Sequence, residues 1–484
     1  MKAVVANGSR VDEFDIISDE PVRLGEYVAA DTGDGGILGM VEDSIITSTV
    51  MSNVKNYVSA SEAGRLVAGN VRDRGYTASV KVLGLVDALK KGKAAMPSLP
   101  AIPGTEVSDA PVDLLNSIFN YGIQVGSLLR KPAIKVGVDI DAVASRHLAI
   151  LGTTGSGKSN LLALSAREIG KLEGTMIIFD YHGEYSSLKE TILVRAKINP
   201  KKLDSEELAD VVDIRENASK QRAVLARAYT PDLKESANFW EELIGKLKAE
   251  EDDPNVGARV AEIIYRAKRR MGKILDTNIG DPIDMVKPNR VNVIDMSELT
   301  EAQSRLIISY YAREVLEERK AIRRGSTEKI HFDTPVVLAV EEAHTFFPAG
   351  KPNEAQDVAS KVAREGRKFG VGLIVATQRP SRLDQDILSQ MGSLAVLRVT
   401  QPKDQGYIVE SSELMSEKVA ANLPSLNSGE AMLLGQWVRM PTAARIDIVG
   451  EKLVGSDFSA THEWGMKRKI SEVAVEHTDE MIMK

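Results

Sequence analysis

The sequence contains no cysteine among its 484 residues. This absence excludes disulfides, thiolate nucleophiles, cysteine-ligated zinc sites and iron–sulfur clusters. A chain that needs no disulfides is consistent with a reducing compartment, and we therefore expect a cytoplasmic location.

Long hydrophobic runs are also missing. The longest uninterrupted apolar stretches, such as 336–340 and 373–376, are far shorter than the ~20 residues that a membrane-spanning helix requires. The first residues, MKAVVANGSRVDEF, become charged too early for a signal peptide. We therefore expect no membrane-spanning segment and no contact with a membrane.

Basic residues are fewer than acidic ones, and the formal net charge is −7. With 43% hydrophobic and 27% charged residues, the composition is otherwise that of an ordinary globular protein, not of a disordered or fibrous chain. The negative balance argues against a protein whose whole surface binds nucleic acid, although it is compatible with a local basic channel.

The first 95 residues are rich in β-branched side chains and are interrupted by glycine-containing turns. Three segments have the composition of strands: 25–32, 36–50 and 76–89. We therefore predict a small β-barrel or sandwich over 1–95. The Pro-rich stretch that follows favours extended backbone, so 96–145 is interpreted as a linker and lead-in.

Short apolar runs without polar alternation begin near residue 146. They lie at 148–151, 176–179, 291–294, 336–340, 373–376 and 394–397. Such runs are typical of strands covered on both faces, as in the parallel sheet of an α/β domain. We therefore predict an α/β fold class with its core over 146–450, followed by a polar tail over 451–484.

The interval between the second and third apolar runs is too long for a simple crossover. It is rich in charge, and its apolar residues have helical spacing, as at Leu208, Val211 and Val212. This pattern predicts a helical subdomain inserted into the core at about 190–288.

The segment GTTGSGKS at 152–159 matches the phosphate-binding pattern G-x-x-x-x-G-K-[ST] at every position. An apolar run precedes it and helical spacing follows it, which is the strand–loop–helix context that this loop requires. The backbone N–H groups of such a loop bind phosphate oxygens, its lysine neutralises the β- and γ-phosphates, and its hydroxyl binds Mg²⁺. The predicted nucleotide-binding residues are Gly152, Thr153, Thr154, Gly155, Ser156, Gly157, Lys158 and Ser159, with Lys158 also catalytic and Ser159 also a metal ligand.

Polar side chains follow three other apolar runs. They are Asp180, Glu341–Glu342 and Thr377–Gln378. Because ligands of open α/β sheets bind at the carboxyl ends of the strands, we expect these side chains to face the phosphate loop. By analogy with motor proteins that carry Asp-Glu here, we assign Glu341 to Mg²⁺ and Glu342 to activation of the attacking water. We assign Gln378 to the γ-phosphate or this water, and Asp180 to the nucleotide.

ATP is the expected nucleotide, because the sequence lacks the N-K-x-D motif with which small GTPases bind guanine. The expected cofactors are therefore ATP and Mg²⁺.

Two arginines, Arg146 and Arg367, lie at the amino ends of predicted strands. Arg146 precedes the strand at 148–151, and four residues at ~3.3 Å each place it roughly 13 Å from the phosphate loop. Neither arginine can easily reach the nucleotide of its own subunit. Each could serve a neighbouring subunit in trans, and an ordinary surface ion pair is the alternative.

Four motifs together resemble the HerA branch of the HerA/FtsK motor ATPases. They are GTTGSGKS, FDYHGEY at 179–185, VEEAHTFFP at 340–348 and EGRKFGVGLIVATQRPSRLDQDILSQ at 365–390. The resemblance covers about 146–450 and implies a RecA-like ATPase core. It also implies that the N-terminal barrel is similar to that of rotary ATP synthase subunits.

The resemblance further implies a homohexameric ring that threads double-stranded DNA. Such a ring works with the NurA nuclease in DNA end resection for recombinational repair. The family's catalytic and arginine roles carry over to Lys158, Ser159, Glu342, Gln378, Arg146 and Arg367. Its C-terminal tail crosses to a neighbour's nucleotide, and three residues here would do so: Trp464, Lys467 and Arg468. A frayed terminus is the alternative for this tail.

Two basic segments are candidates for contact with the DNA backbone. The loop 347–354 carries Lys351, and the run 266–273 includes Arg269, Arg270 and Lys273. A motor that ignores sequence needs only phosphate contacts of this kind. A solvated helix face is the alternative for the run.

The leading interpretation is an ATP-driven DNA translocase. The alternatives are a small-molecule phosphotransferase such as a P-loop kinase, an ATP-switched ring that only scaffolds a nuclease, and a rotary ATPase subunit. The carboxylate pair and the Thr-Gln strand end disfavour the phosphotransferase, and the motifs within 340–390 disfavour the rotary subunit.

Overall fold

The computed structural model describes residues 2–450 except 53, 55, 70–73, 94, 216, 327–329 and 412–414. The predictions for the tail, including Trp464, Lys467 and Arg468, therefore lie outside the described residues. Within the described ranges, no helix combines the length and the apolar character that crossing a membrane would need.

The N-terminal part of the chain is a closed barrel of six antiparallel strands. The strands are β1 Ala3–Val5, β2 Glu13–Ser18, β3 Tyr27–Thr32, β4 Gly35–Ser48, β5 Arg74–Leu85 and β6 Glu106–Asp109. Their order around the barrel is β1-β2-β5-β4-β3-β6. Alternate side chains, such as Phe14, Ile16 and Val80, are buried in a small apolar core inside the barrel.

The barrel extends beyond residue 95, where the sequence predicts its end. Strand β6 closes the barrel by pairing with β1 and β3, although it lies inside the predicted linker and lead-in at 96–145. Pro103 and Pro111 flank β6 rather than interrupt it. The extended backbone that prolines favour suits a short closing strand as well as a linker, which is why composition misses this strand.

Four helices accompany the barrel and lead into the core. They are α1 Thr49–Ser52, α2 Tyr57–Gly69, α3 Val86–Lys90 and α4 Val112–Phe119. Helices α1 and α2 lie between β4 and β5, and α3 follows β5 directly.

The core is built on one sheet of eleven strands. Those not yet named are β7 Ile123–Leu128, β8 Lys135–Val138, β9 Leu148–Leu151, β10 Thr175–Asp180, β11 Thr191–Val194, β12 Val291–Asp295, β13 Val336–Val340, β14 Val371–Thr377, β15 Ser393–Val396, β16 Glu430–Gly435 and β17 Thr442–Ile446. Their order is β11-β12-β10-β13-β14-β9-β15-β16-β17-β7-β8. The pairs from β11 to β15 are parallel, and the remaining pairs are antiparallel.

All six apolar runs of the sequence become neighbouring strands of this sheet, so the predicted α/β fold class is confirmed. Each strand sends alternate side chains to opposite faces. Leu151 and Phe179 join the apolar core on one face, whereas Ile150 and Ile178 join the core on the other. Because both faces are covered, most positions of these strands carry apolar residues.

The predicted helical insertion lies between β11 and β12. Its helices are α7 Ser205–Val211, α8 Ser219–Ala228, α9 Pro231–Glu235, α10 Phe239–Lys248 and α11 Pro254–Arg270. Leu208, Leu243 and Ile264 belong to the same apolar core as one face of the sheet. The insertion is therefore packed on the sheet. Its predicted start near 190 is wrong by a few residues, because β11 is an edge strand of the sheet.

The remaining helices connect the strands of the core. They are α5 Ile140–Arg146, α6 Lys158–Lys171, α12 Glu301–Arg323, α13 Ala343–Phe346, α14 Glu354–Phe369, α15 Gln385–Ser389, α16 Pro402–Ser411 and α17 Glu417–Asn422. A capping box formed by Thr300 and Gln303 starts α12. Asn353 caps the start of α14 through the backbone N–H groups of Ala355 and Gln356. These caps fix where the chain leaves the carboxyl edge of the sheet.

Candidate active site

The phosphate loop lies between β9 and α6 and depends on its glycines. Gly157, at the start of α6, has a φ of 109°, a backbone conformation that favours glycine. A Cβ atom on Gly152 would lie 2.7 Å from Ser156 Oγ and 2.9 Å from Leu397 Cβ, so only glycine fits there. The loop therefore presents its backbone to the start of α6, where N–H groups bind phosphate.

Lys158 and Ser159 open helix α6, as the motif predicts. Lys158 is only 9% exposed, and its Nζ donates a hydrogen bond of 3.1 Å to the carbonyl of Thr153 across the loop. Ser159 Oγ donates to Glu341 Oε1 at 3.3 Å. The hydroxyl assigned to Mg²⁺ thus lies beside the carboxylate assigned to the same ion.

The strand register brings the predicted acidic and amide side chains to the edge that carries the loop. Phe179 pairs with Val340, so Asp180 and Glu341 follow at the same level of two neighbouring strands. Thr377 pairs with Leu151, the last residue before the loop. The predicted convergence of strand ends on the phosphate loop is what the sheet shows.

Glu341 is the buried member of the carboxylate pair, with 5% exposure. Its Oε1 accepts hydrogen bonds from the hydroxyls of Ser159 and Tyr185, the latter at 3.0 Å. Its Oε2 is buried and has no hydrogen-bond partner among the described residues. Burial, followed by the negative charges of Glu184 and Asp180, raises the pKa of Glu341 to about 8. A cation at Oε2 would satisfy this oxygen and favour the ionised carboxylate.

These residues fit a magnesium ion. Mg²⁺ takes oxygen ligands and is usually bound by one or two carboxylates together with substrate phosphates and water. Glu341 Oε2 and Ser159 Oγ supply two such oxygens. In the described part of the chain, no group of three or more histidine, aspartate or glutamate side chains could hold a metal ion by itself. Phosphate oxygens of the nucleotide, together with water, would therefore complete the coordination.

Glu342 has a strained backbone, since its φ of 48° and ψ of 42° lie in the left-handed region. Such strain in a non-glycine residue is typical of functional sites. Burial raises the pKa of Glu342, and the positive charge of Lys158 opposes this rise. A carboxylate with a raised pKa is a better proton acceptor while it stays ionised, which suits the predicted role in activating water.

Gln378 contacts the phosphate loop, because Thr154 Oγ1 donates a hydrogen bond to Gln378 Oε1. His344 Nδ1 is 2.9 Å from the hydroxyl of the preceding residue, Thr377, and 3.2 Å from Glu342 Oε2. Burial and then the charges of Arg379 and Arg382 lower the pKa of His344 to about 4, so its imidazole is neutral near pH 7.

Sequence reasoning does not single out His344, although it lies two residues after Glu342 within VEEAHTFFP. Its position after a buried strand is the signal that could have identified it. The imidazole contacts Thr377 at the end of β14 and lies beside Glu342, whose Oε2 is buried without a hydrogen-bond partner among the described residues.

Asp180 has both carboxylate oxygens engaged within the chain. They accept hydrogen bonds from the backbone N–H groups of Gly183, Glu184 and Tyr185 at 2.8, 3.0 and 2.9 Å. The sequence predicts a contact between Asp180 and the nucleotide. Because these oxygens are used by the loop, the geometry favours a role in shaping residues 181–185 over direct contact.

Arg146 and Arg367 lie at the amino edge of the sheet, away from the phosphate loop. Arg146 ends α5, and its carbonyl accepts a hydrogen bond of 2.7 Å from the N–H of Gly392. Arg367 is exposed in the last turns of α14, just before β14 begins. Their roles at a neighbour's nucleotide stay predictions.

A pocket beside the carboxylate pair contains the predicted DNA residue Lys351. Arg305 and Arg382 also line it, and His344 forms part of its wall. These three basic residues, Arg305, Lys351 and Arg382, are called the cationic pocket below. The sequence does not indicate that Arg305 and Arg382 accompany Lys351, because they lie in the connections that follow two other strands, β12 and β14.

The basic run 266–273 has different surroundings from the cationic pocket. Arg270 forms an ion pair with Asp213 at 3.3 Å, Lys268 with Glu241 at 2.7 Å, and Lys273 with Glu298 at 3.7 Å. Carboxylates therefore compensate much of its positive charge. This favours the alternative interpretation, a solvated helix face, over contact with DNA.

Comparison with known proteins identifies the family. Residues 123–315 match the family model described as the central domain of helicase HerA. The chain is 35% identical over 497 residues to the DNA double-strand break repair helicase HerA of Sulfurisphaera tokodaii, and the match covers 98% of both chains.

Two solved structures are similar in fold. VirB4 of Thermoanaerobacter pseudethanolicus has a TM-score of 0.52 and 17% identity, covering 69% of this chain and 98% of its own. Plasmid coupling protein TrwB, solved with ADP and Mg²⁺, has a TM-score of 0.50 and 16% identity, covering 70% and 93%. With its complete phosphate loop and adjoining carboxylate pair, the protein is an ATPase. The chain belongs to the HerA helicase family.

Proposed function

We propose that this ATPase is a translocase that moves double-stranded DNA through a homohexameric ring. In this proposal it uses ATP with Mg²⁺ and works with the NurA nuclease in end resection for recombinational repair. The observation that carries the proposal is the 98% coverage of both chains in the match to the Sulfurisphaera tokodaii helicase. Barrel, core and insertion are thus shared with a protein named for double-strand break repair.

The chain's own residues would divide the ATP chemistry among them. The loop and Lys158 bind and neutralise the phosphates, while Glu341 and Ser159 hold the magnesium ion, which neutralises phosphate charge when bound. Glu342 accepts the proton of the attacking water, and Gln378, fixed by Thr154, orients that water or the γ-phosphate.

The cationic pocket is the better candidate for contact with the DNA backbone. Arg305 Nε is buried without a hydrogen-bond partner among the described residues, and it forms an ion pair with Glu354 at 3.9 Å. Glu301 also lines the pocket. The three cationic side chains outnumber the carboxylates of Glu301 and Glu354, so the pocket retains positive charge that a phosphodiester could neutralise. Its wall includes His344, which contacts Glu342, so bound DNA would lie next to the hydrolytic carboxylate.

Replacing Lys351 and Arg382 together by glutamine is expected to weaken binding to double-stranded DNA and reduce its stimulation of ATP hydrolysis. Each lost phosphate contact should lower the slope of log K against log salt by about 0.9. The measurement is fluorescence anisotropy with a labelled duplex at several salt concentrations.

Arg270→Gln is the matched control, since Arg270 already pairs with Asp213. The control variant should keep the salt slope of the unmodified protein. A larger effect of Arg270→Gln than of the pocket variant would move the DNA contact to the basic run.

The whole proposal is tested by steady-state ATP hydrolysis with and without linear double-stranded DNA, together with the mass of the particle. A translocase should hydrolyse ATP continuously and faster with DNA, and should displace a third strand from a DNA triplex. A phosphotransferase would not respond to DNA. A static scaffold would consume one ATP per loading event and displace nothing.

The barrel carries an apolar stripe on its outer surface. Val4 pairs with Ile17, Ile17 pairs with Thr77, and Thr77 pairs with Ile45. The apolar members Val4, Ile17 and Ile45, here called the outer stripe, are 39%, 50% and 53% exposed. Exposed apolar surface of this kind is typical of a docking site. We place the nuclease here, because the ATP chemistry lies entirely in the core.

The double variant Ile17→Glu, Ile45→Glu is expected to bind the nuclease about tenfold more weakly or worse, because two carboxylates would have to be buried in the contact. Its ATPase rate should be unchanged. Pull-down and calorimetric titration with purified nuclease measure the loss.

Ile448→Glu is the control, because Ile448 is 84% exposed and follows the last strand of the core sheet. It should bind the nuclease normally. If the stripe variant retains full affinity, the nuclease docks elsewhere.

A further inference from the structure

The loop that contains YHGEY, residues 181–185, has no role in the chemistry described so far. It follows β10 and lies at the carboxyl edge of the sheet beside the phosphate loop. Its last residue, Tyr185, is completely buried, with 0% exposure. The hydroxyl of a buried tyrosine usually finds a hydrogen-bond partner, and that partner indicates what the residue does.

The hydroxyl of Tyr185 donates to Glu341 Oε1 at 3.0 Å. The two residues are 156 positions apart in sequence and belong to loops that follow neighbouring strands. Ser159 Oγ donates to the same oxygen at 3.3 Å. Two donors therefore hold Oε1, whereas Oε2 of this buried carboxylate has no hydrogen-bond partner in the described part of the chain.

The other end of Tyr185 is fixed as well. Its backbone N–H donates to Asp180 Oδ2, and the N–H groups of Gly183 and Glu184 donate to Oδ1. Gly183 has a φ of 73°, which allows the loop to turn back toward Asp180. The buried carboxylate of Asp180 thus anchors the backbone from which the Tyr185 side chain extends.

We propose that Tyr185, anchored by Asp180, is a positioning residue that holds Glu341 with its Oε2 directed toward the magnesium ion. The physical reason is that a carboxylate can rotate and exchange its two oxygens. With Oε1 bound to Tyr185 and Ser159, one orientation is favoured before the metal arrives. Partners that orient a metal ligand in this way typically contribute 10–100-fold to affinity for the metal.

This inference rests on the proposed magnesium–ATP chemistry and is independent of DNA, so its tests contain no DNA. Tyr185→Phe removes the hydroxyl and keeps the buried ring. With a non-hydrolysable ATP analogue present, we expect Mn²⁺ to bind about tenfold more weakly, measured by the electron paramagnetic resonance signal of free Mn²⁺. The Mg²⁺ concentration for half-maximal ATPase rate should rise similarly, while affinity for the analogue without metal stays unchanged.

Tyr311→Phe is the matched control. Tyr311 is also completely buried, and its hydroxyl donates to the carbonyls of Arg195 and Lys197 at 3.4 and 3.3 Å, outside the phosphate site. It should lose a similar hydrogen bond without any change in Mn²⁺ affinity. An equal loss in Tyr311→Phe would overturn the proposal, because the effect would then be one of general stability.

Two further variants separate the possible failures. Asp180→Asn, which weakens the anchor, should shift Mn²⁺ affinity in the same direction as Tyr185→Phe. Glu341→Gln should shift it most. If Glu341→Gln weakens Mn²⁺ binding and Tyr185→Phe does not, the positioning role is refuted while the metal assignment stands. If Glu341→Gln has no effect, the metal assignment and the inference that rests on it both fail.

Discussion

Glu342→Gln is expected to bind ATP with near-normal affinity and to hydrolyse it about 10²–10⁴-fold more slowly, the usual contribution of a general base. The amide keeps the shape of the side chain and removes its ability to accept a proton. The surroundings of Glu342 support this assignment, because its Oε2 is buried without a hydrogen-bond partner among the described residues and can therefore accept a proton. Rapid-quench measurement of a single turnover, alongside equilibrium binding of labelled ATP, separates the chemical step from binding.

Glu341 is the competing candidate for the base. Its Oε1 is held by two hydroxyls, and its buried Oε2 is the oxygen assigned to the magnesium ion. With one oxygen held by hydroxyls and the other assigned to the metal, Glu341 is poorly placed to accept the proton of the attacking water. Glu341→Gln should therefore alter metal dependence, and Glu342→Gln should stop turnover even at saturating Mg²⁺.

Glu365→Gln is a suitable control for both variants. Glu365 lies on α14 toward the amino edge of the sheet, where it pairs with Lys320 at 2.8 Å. It should leave turnover intact. Normal turnover in Glu342→Gln combined with loss in Glu341→Gln would reverse the two roles.

The core of the fold could be predicted because its signals are local. Each apolar run is long enough to identify a strand, and the glycines of the loop at 152–159 occupy positions where the backbone requires them. Once a parallel sheet is assumed, strand ends converge by geometry alone. Glu341, Glu342 and Gln378 could be placed beside the loop on that basis.

What the sequence does not reveal depends on contacts between distant elements. Tyr185 is a loop residue of ordinary type until the sheet register places it beside Glu341. Arg305 and Arg382 join Lys351 in one pocket because three crossovers start at the same edge. Such groupings carry no periodicity, so neither spacing nor composition indicates them.

At the basic run 266–273, the sequence suggests a DNA-binding site that the structure does not favour. Local composition shows the positive charges and not the carboxylates that neutralise them. Asp213 and Glu241 come from earlier parts of the insertion, and Glu298 comes from the segment before α12. Only the folded arrangement of these helices distinguishes a compensated surface from a binding surface.

Arg146→Ala is expected to reduce ATP hydrolysis about 10³–10⁵-fold if Arg146 acts as an arginine finger in trans. The reason is geometric, because β9 separates Arg146 from the phosphate loop of its own chain by roughly 13 Å. The residue after this arginine, His147, is held on both sides of its ring. Its Nδ1 accepts a hydrogen bond from the backbone N–H of Leu373, and its Nε2 lies 3.0 Å from the carbonyl oxygen of Ala363. The backbone next to Arg146 is therefore fixed at the amino edge of the sheet.

The trans role is tested by mixing two inactive proteins, Arg146→Ala and Lys158→Ala, under conditions that allow subunit exchange. In a mixed ring, some interfaces pair an intact phosphate loop with an intact arginine, so part of the ATPase activity should return. A residue acting in cis would restore nothing, because every subunit would carry its own defect. Strict coupling around the ring could also suppress recovery, and mixtures of unmodified and Lys158→Ala subunits control for this by showing partial activity. If that control is active and the two variants together stay inactive, Arg146 does not complete a neighbour's site.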